Sequence, residues 1–292
     1  MRTSFRYSIL VLLTCLQGAM FSACGQSADE YPDSPTESPM EHSIIFEEPN
    51  SPSHSVLQEL LQQQTTVLPE KGDTVPVIAL IIDDMGHHQS LGKKLIDLKL
   101  NLTFSFLPNA PHTLELAEMA HANGRDILIH LPMEPKGQKW NPGQDALMLK
   151  ESPAQIQQKT STLISRVPYA IGVNNHMGSL FTEQQSAMKD VLTVLARHHL
   201  FFVDSFTSAQ SVGFAQASAM HIPTARRHVF LDNVHQTDKI CHQIKQLTHI
   251  ASQKGSAIGI GHPNTATLNA LDQCAPSLLK SVHLVGVHEL VQ

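Results

Sequence analysis

The sequence predicts an α/β fold for residues 75–292, in the form of a distorted (β/α) barrel of seven or eight parallel strands. Short apolar runs alternate with longer segments of helical periodicity, as in parallel strands joined by right-handed crossovers. The number of repeats favours a barrel over a doubly wound sheet. The composition, 41% hydrophobic and 16% charged, is that of a globular domain with a substantial core.

The predicted strands are apolar throughout, as expected for parallel strands that are covered on both faces. They are Val77–Ile82, Leu102–Leu107, Asp126–Ile129, Ala170–Val173, Leu200–Val203, Val229–Leu231, Ala257–Ile260 and Leu284–Val287. Amphipathic helices are predicted at Thr113–Ala122, Pro153–Ser165, Glu183–His198, Thr237–Ser252 and Thr265–Leu279. The segment from Phe206 to His221 has no clear periodicity and is predicted to be irregular.

Residues 1–24 have the layout of an export signal. Two arginines precede an apolar stretch at Ile9–Leu16, and small residues follow, in a segment too short to span a bilayer comfortably. The ending at Cys24 resembles a bacterial lipoprotein box in which Cys24 would receive lipid, although Phe21 stands where Leu is expected. We therefore expect export, with either a lipid anchor at Cys24 or ordinary cleavage that releases a periplasmic protein.

Residues 25–74 are rich in Pro, Ser, Glu and Gln and are predicted to form a flexible tether. The formal net charge is −6 and no basic run occurs, so nucleic acid is not an expected partner. Cys241 and Cys274 remain for the folded part, and the sequence leaves open whether they come close enough to pair. Their spacing is not that of a cysteine metal site.

Polar residues recur directly after the predicted strands. They are Asp83 and Asp84 after the first, His130 with Glu134 after the third, Asn174, Asn175 and His176 after the fourth, Asp204 after the fifth, Asp232 after the sixth, His262 after the seventh and His288 after the last. The carboxyl ends of parallel strands converge on one face, where active sites are built. The pattern therefore predicts a metal or acid–base site at one mouth of the barrel.

Each of these residues also has a structural explanation. An Asp or Asn after a strand is often a helix cap or turn residue, an interpretation that we favour for Asp232. Adjacent carboxylates at Asp83 and Asp84 repel each other, and burial would require a cation or a shared proton. Most of the 18 histidines lie where a solvated helix face or loop explains them.

The order of these motifs resembles that of metal-dependent polysaccharide deacetylases. Ile81-Ile82-Asp83-Asp84 resembles their opening T-F-D-D motif, and the run that leads to His130 resembles the approach to their H-[ST]-x-x-H motif. Five short motifs are similar to those of the divergent polysaccharide deacetylase branch: I-D-D-M-G, H-L-P-M-E-P, N-N-H-M-G-S, V-D-S and G-H-P. The resemblance covers residues 77–291 and implies a deacetylase-like barrel.

The resemblance also implies roles for individual residues. Asp83 would be the general base, Asp84 and His130 metal ligands, and His262 the general acid. Glu134 stands where the family has its second metal histidine, so we expect His176 to supply the missing imidazole and Glu134 to lie beside the ligands. The expected metal is divalent, with Zn²⁺ preferred.

Two further roles complete the predicted site. Asn175 is expected to stabilise the oxyanion, and Asp204 is expected to orient a histidine. The implied reaction is removal of acetyl groups from a glycan. A non-catalytic envelope factor that binds glycan or protein is the main alternative, because only one Trp and three Tyr are available for stacking on sugars. A third hypothesis is a glycoside hydrolase that uses Asp83 or Asp84 with Asp204. The abundance of histidines at the mouth argues against it.

Overall fold

The computed structural model describes residues 75–137 and 139–292. The predicted export signal, the tether and Cys24 lie outside the described residues. Within the described part of the chain, no helix has both the length and the apolar character needed to cross a bilayer.

Nine strands form one parallel sheet in the described residues. They are β1 Val77–Met85, β2 Thr103–Phe106, β3 Ile127–Met133, β4 Gly172–Met177, β5 Phe201–Asp204, β6 Thr224–Arg226, β7 Val229–Phe230, β8 Ser256–Gly261 and β9 His283–Val285. The order across the sheet is β6-β5-β4-β3-β2-β1-β8-β7, with β9 paired to β1. The sheet curls into a barrel that stays open between β6 and β7, so the predicted α/β barrel class is confirmed.

Eight α-helices connect these strands in the described residues. They are α1 Gln89–Ile96, α2 Thr113–Ala122, α3 Pro153–Ile164, α4 Gln185–Arg197, α5 Gly213–Ala219, α6 Thr237–Lys254, α7 Thr265–Gln273 and α8 Ala275–Leu278. Helix α5 lies in the segment that was predicted to be irregular. The predicted helix Thr265–Leu279 is divided at Cys274, and Pro276 lies in the first turn of α8, where it is tolerated.

Side chains alternate along each strand between two apolar layers. The larger layer lies between the sheet and the surrounding helices, and Ile82, Phe104 and Phe202 belong to it. The smaller layer fills the barrel, and Ala79 and Ile81 of β1 pack there against residues of β3, β5, β6 and β8. Because β1 is covered on both faces, its apolar run is nearly continuous.

The polar residue that follows β9, His288, does not lie at the mouth of the barrel with those that follow the other strands. Strand β9 pairs with only the first half of β1, at Val77 to Ala79, so it ends well below the mouth of the barrel. His288 accordingly contacts Asp126, which precedes β3 at the opposite end of the sheet. His288 is therefore not part of the cluster at the mouth.

Cys241 and Cys274 form a disulfide bond, which resolves the pairing that the sequence left open. The bond joins α6 to the junction between α7 and α8 on the outside of the barrel.

Candidate metal centre

The site lies at the carboxyl ends of the barrel strands. Its side chains are the next members of the rows of inward-facing residues that form the core inside the barrel. In β1, Asp83 follows Ile81 at the spacing that keeps both side chains on one face, and in β3 His130 follows Leu128 in the same way. Directly after β8, His262 continues the row of Ile258 and Ile260. The apolar core thus ends in a layer of carboxylates and imidazoles.

Asp84 reaches the same pocket through an unusual backbone conformation. A residue next to Asp83 in a regular strand would point to the opposite face. Asp84 instead has φ of 51°, in the left-handed region, and the register of β1 against β2 shifts between Ile82 and Met85. The irregularity turns both carboxylates toward His130. Such local strain is characteristic of functional sites.

Three potential ligand atoms converge at this point. Asp84 Oδ1 lies 2.9 Å from His176 Nδ1 and 3.1 Å from His130 Nε2, and the two imidazole nitrogens are 3.1 Å apart. Ligands held about 2.0–2.1 Å from a tetrahedral zinc ion lie roughly 3.3 Å from one another. The structure therefore brings together Asp84, His130 and His176, with nearly the separation that such an ion requires.

The hydrogen bonding of Asp84 fits a cation. Among the described residues, Oδ1 of this buried carboxylate accepts no hydrogen bond of acceptable geometry, although two imidazole nitrogens lie close to it. A buried carboxylate oxygen without a donor is costly unless a positive charge compensates it. One oxygen with two nitrogens is a donor set that suits Zn²⁺.

The surrounding charges act differently on the two adjacent carboxyl groups. Burial favours the neutral acid in both, but attraction to His176 and His130 outweighs it at Asp84 and holds its pKa well below the usual range. At Asp83, burial outweighs the attraction of His130 and His262, and the pKa is raised. Asp84 is thus kept ionised, while Asp83 holds a proton more readily than an exposed aspartate does.

Asn174 connects the two halves of the site, and the sequence prediction did not assign it this role. Its Nδ2 donates to Asp83 Oδ1 at 2.7 Å, and its Oδ1 accepts from Ser105 Oγ at 2.6 Å and lies 2.8 Å from His130 Nδ1. With Nδ1–H of His130 donated to this oxygen, Nε2 is left to face Asp84 as a potential ligand. Asn174 therefore fixes the tautomer of His130.

His262 is paired with Asp232. Its Nδ1 lies 2.9 Å from Asp232 Oδ1, while Oδ2 accepts from the backbone N–H of His262, Asn264 Nδ2 and Thr267 Oγ1. Burial disfavours the imidazolium, but the attraction of Asp232, with smaller contributions from Asp84 and Asp83, raises the pKa of His262 to about 9. Our preferred interpretation of Asp232 as a helix cap or turn residue was therefore incomplete, because the carboxylate also orients the histidine.

Two predicted site residues instead stabilise loops of the mouth. The side chain of Asn175 donates to Met177 O and to Thr207 Oγ1 and accepts from Ser205 N, so these contacts do not support the predicted oxyanion role. Glu134 accepts from the backbone N–H of Leu149 and lies outside the three-ligand cluster. Alternation along β4 explains the first result, because Asn174 and His176 share one face and Asn175 lies on the other.

Asp204 is buried on the helix side of the sheet. Its carboxylate accepts from Phe206 N, Phe214 N and Ser211 Oγ, all in the segment that leads from β5 into α5. In the described residues, the aspartate that hydrogen-bonds His262 is Asp232. The prediction that Asp204 orients a histidine is therefore not supported by these contacts.

The fold and site define an α/β-barrel protein of the deacetylase class with an Asp–His–His cluster at its mouth. The model of the divergent polysaccharide deacetylase family matches residues 80–291. The chain belongs to this family.

Two curated relatives are uncharacterized proteins. One is YibQ of Escherichia coli K12, 33% identical over 214 residues that cover 73% of this chain and 67% of the relative. The other, from Haemophilus influenzae, is 36% identical over 214 residues that cover 73% of this chain and 76% of the relative. A crystal structure of an uncharacterized protein from Agrobacterium tumefaciens C58 has 26% sequence identity and a TM-score of 0.72, covering 76% of this chain and 92% of that one.

Proposed function

We propose that this protein is a metal-dependent hydrolase that removes acetyl groups from an envelope or extracellular polysaccharide. The observation that carries the proposal is the convergence of Asp84, His130 and His176 beside two further groups suited to proton transfer, Asp83 and His262. Membership of the divergent polysaccharide deacetylase family supports the acetylated glycan as substrate.

The chain supplies the ligands and both proton-transfer groups. Asp84, His130 and His176 would hold Zn²⁺ or another divalent cation. Such a cation would polarise the acetyl carbonyl and lower the pKa of a water molecule that it binds.

Asp83 accepts the proton of the attacking water, and Asn174 holds the carboxylate in position for this step through its 2.7 Å hydrogen bond. His262 is largely protonated at neutral pH because Asp232 raises its pKa to about 9, so it can donate a proton to the departing nitrogen or oxygen.

Acetate release tests this proposal. The purified zinc-loaded protein should release acetate from acetylated glycan oligomers, and removal of zinc by a chelator should abolish the activity. Asp83→Asn and His262→Gln should each lower kcat by about 10²–10⁴-fold while zinc stays bound. Wild-type activity in either variant, or activity that survives zinc removal, would contradict the assignment.

A non-catalytic envelope factor that binds glycan or protein is the second candidate. The small supply of aromatic side chains for sugar stacking favours it, since the whole sequence has one Trp and three Tyr. A zinc-loaded protein that binds acetylated glycans without releasing acetate would support this candidate against the hydrolase.

We also propose that the protein is exported, either to the periplasm or to a lipid anchor at Cys24. The Cys241–Cys274 disulfide supports export because such bonds persist mainly in oxidising compartments. If Cys24 carries lipid, Cys24→Ser should move the protein from the membrane fraction to the soluble envelope fraction. An unchanged distribution would argue against the anchor.

A further inference from the structure

The proposed reaction needs a hydrogen-bond donor for the acyl oxygen, and Asn175, the residue expected to provide it, has its side-chain amide engaged within the protein. The side-chain amide of Asn175 donates to Met177 O at 2.8 Å and to Thr207 Oγ1 at 3.4 Å. Asn174, on the site's side of β4, uses its amide on Asp83. Both N–H groups of Asn175 are thus used within the protein, and the amide of Asn174 is directed to the general base.

Ser205 directly follows β5, which ends at Asp204. Within β5, Val203 belongs to the core inside the barrel, whereas Asp204 hydrogen-bonds Phe214 N at the start of α5 on the outer side. Alternation therefore directs Ser205 to the inside. The parallel ladder pairs Asn174 with Val203, so continuing the same register by two residues would bring Ser205 alongside His176.

The backbone of Ser205 is fixed on both sides. Its N–H donates to Asn175 Oδ1 at 2.9 Å, and its carbonyl accepts from Nε of the buried Arg227 at 2.7 Å. These bonds leave little freedom in the direction of the Cα–Cβ bond. The hydroxyl can therefore find a partner only by rotation of χ1 and of the O–H bond.

The Ser205 hydroxyl is buried, with 1% of the residue exposed, and Oγ has no hydrogen-bond partner among the described residues. Leaving a buried hydroxyl unsatisfied is unfavourable, and most buried polar side chains avoid it. Ser208 in the following loop is the contrast, because its Oγ donates to Glu183 and accepts from Gln210 N. A hydroxyl buried in this loop region can thus find partners in the protein, whereas the Ser205 hydroxyl does not.

We propose that Ser205 is a ligand-binding residue of this site, whose hydroxyl donates a hydrogen bond to an oxygen of the acyl group or acetate bound at the metal centre. The inference rests on the proposed function and adds one contact to it. It assigns to Ser205 the donor role that Asn175 does not fill.

Acetate, the product of deacetylation, is the probe for this contact. Calorimetric titration of the zinc-loaded protein with acetate should give a Kd that is roughly five- to tenfold higher in Ser205→Ala than in wild type, the usual effect of losing one hydrogen bond. Zinc affinity should stay within about twofold of wild type, because the hydroxyl hydrogen-bonds none of the ligands and so does not orient them. The Tm should be equal to or higher than that of wild type, since the lost hydroxyl has no partner in the protein.

Ser208→Ala is the matched control, because it removes a partnered hydroxyl from a residue that is also buried (4% exposed). It should lower the Tm and leave the acetate Kd unchanged. An unchanged acetate Kd in Ser205→Ala, or a fall in its Tm as large as that of Ser208→Ala, would overturn the role of Ser205. A wild-type chain that binds no zinc would overturn the proposed function as well, whereas zinc binding with an unchanged acetate Kd would overturn only this inference.

Discussion

At the scale of single residues, Asn174 organises the candidate metal centre although it is not one of the three potential ligands. The side chain of Asn174 is fully buried and positions Asp83 and His130 at once. Groups that orient metal ligands typically change metal affinity by 10- to 100-fold when they are removed.

We predict that Asn174→Leu, a change of similar volume, weakens zinc binding by about 10- to 100-fold, because His130 loses the acceptor for its Nδ1–H. Competition with a chromophoric chelator measures the change. Ser105→Ala removes only the outer hydrogen bond to Asn174 and should have an effect of less than about tenfold. Equal zinc affinities in wild type and Asn174→Leu would show that Asn174 has no positioning role.

His262 makes folding stability depend on pH. Its pKa is about 9 in the folded protein, against 6.5 for an ordinary histidine, because the attraction of Asp232 outweighs burial. A raised folded pKa means that this stabilisation is complete below about pH 6.5 and is lost as the pH rises through about 9. The upper limit of the contribution is about 3 kcal/mol.

We therefore predict that the difference in unfolding free energy between the metal-free wild type and metal-free His262→Gln narrows steadily from pH 6 to pH 10. Urea unfolding at a series of pH values measures it. A difference that is constant over this range would mean that His262 does not carry the charge that we assign to it.

The residues of the site were predictable to different degrees. Asp83, Asp84, His130 and His176 lie at or shortly after the ends of the predicted strands, and the family resemblance supported them. Residues two apart in a strand share one face, so the placement of His176 in the site favours Asn174 over Asn175 as a site residue. The role of Asn174 could therefore have been predicted from the sequence. The pairing of Asp232 with His262 needs the knowledge that β7 and β8 are neighbours, which the sequence does not provide.

At the scale of elements, the ends of three strands share one feature. Asp84 in β1, Met177 in β4 and Phe206 just after β5 all have a φ of 51°. Non-glycine residues rarely adopt this left-handed conformation, and its recurrence at the mouth shows that each chain segment turns sharply where the site begins.

Gly86 lies in the turn after β1, and a substitution there tests how tightly this turn is constrained. Its φ is +115°, and a Cβ atom there would lie 2.4 Å from Thr113 Oγ1 and 2.7 Å from Ala110 Cβ. We predict that Gly86→Ala destabilises the fold by about 2–4 kcal/mol, the sum of backbone strain and overpacking. Denaturant unfolding measures the loss of stability.

Gly124→Ala is the control, because Gly124 also has a positive φ (+67°) but has open space around the added methyl group. It should cost only the backbone strain, about 1 kcal/mol. Equal losses in the two variants would show that the packing around Gly86 is not tight.

The elements that the sequence missed are short or lack a distinct pattern. Strand β6 has three residues and ends at Arg226, and α5 has seven residues, so neither gives a readable periodicity. The longer helices α2, α3, α4 and α6 were predicted within one or two residues at nearly every end. Strand β9 was predicted as an element, but its pairing with the lower half of β1 was not.

At the scale of the whole molecule, the barrel is an incomplete ring that a buried arginine helps to bridge. No ladder joins β6 to β7 in the described residues, and Arg227 lies between these strands. Its guanidinium donates to Ser205 O and Phe206 O beyond the end of β5 and lies 3.5 Å from the centre of the Phe230 ring in β7. Hydrogen bonds and a cation–π contact thus replace strand pairing across the gap.

The central claim is that side chains from three different strands form one metal site, and metal content tests it most directly. We predict one zinc ion per wild-type chain by elemental analysis, and at least about 100-fold weaker binding in Asp84→Asn, His130→Gln and His176→Gln. Glu134→Gln should bind zinc as wild type does, since Glu134 contacts the backbone of Leu149 and not the cluster. A wild-type chain without stoichiometric zinc, or a Glu134→Gln variant as impaired as His176→Gln, would contradict the account.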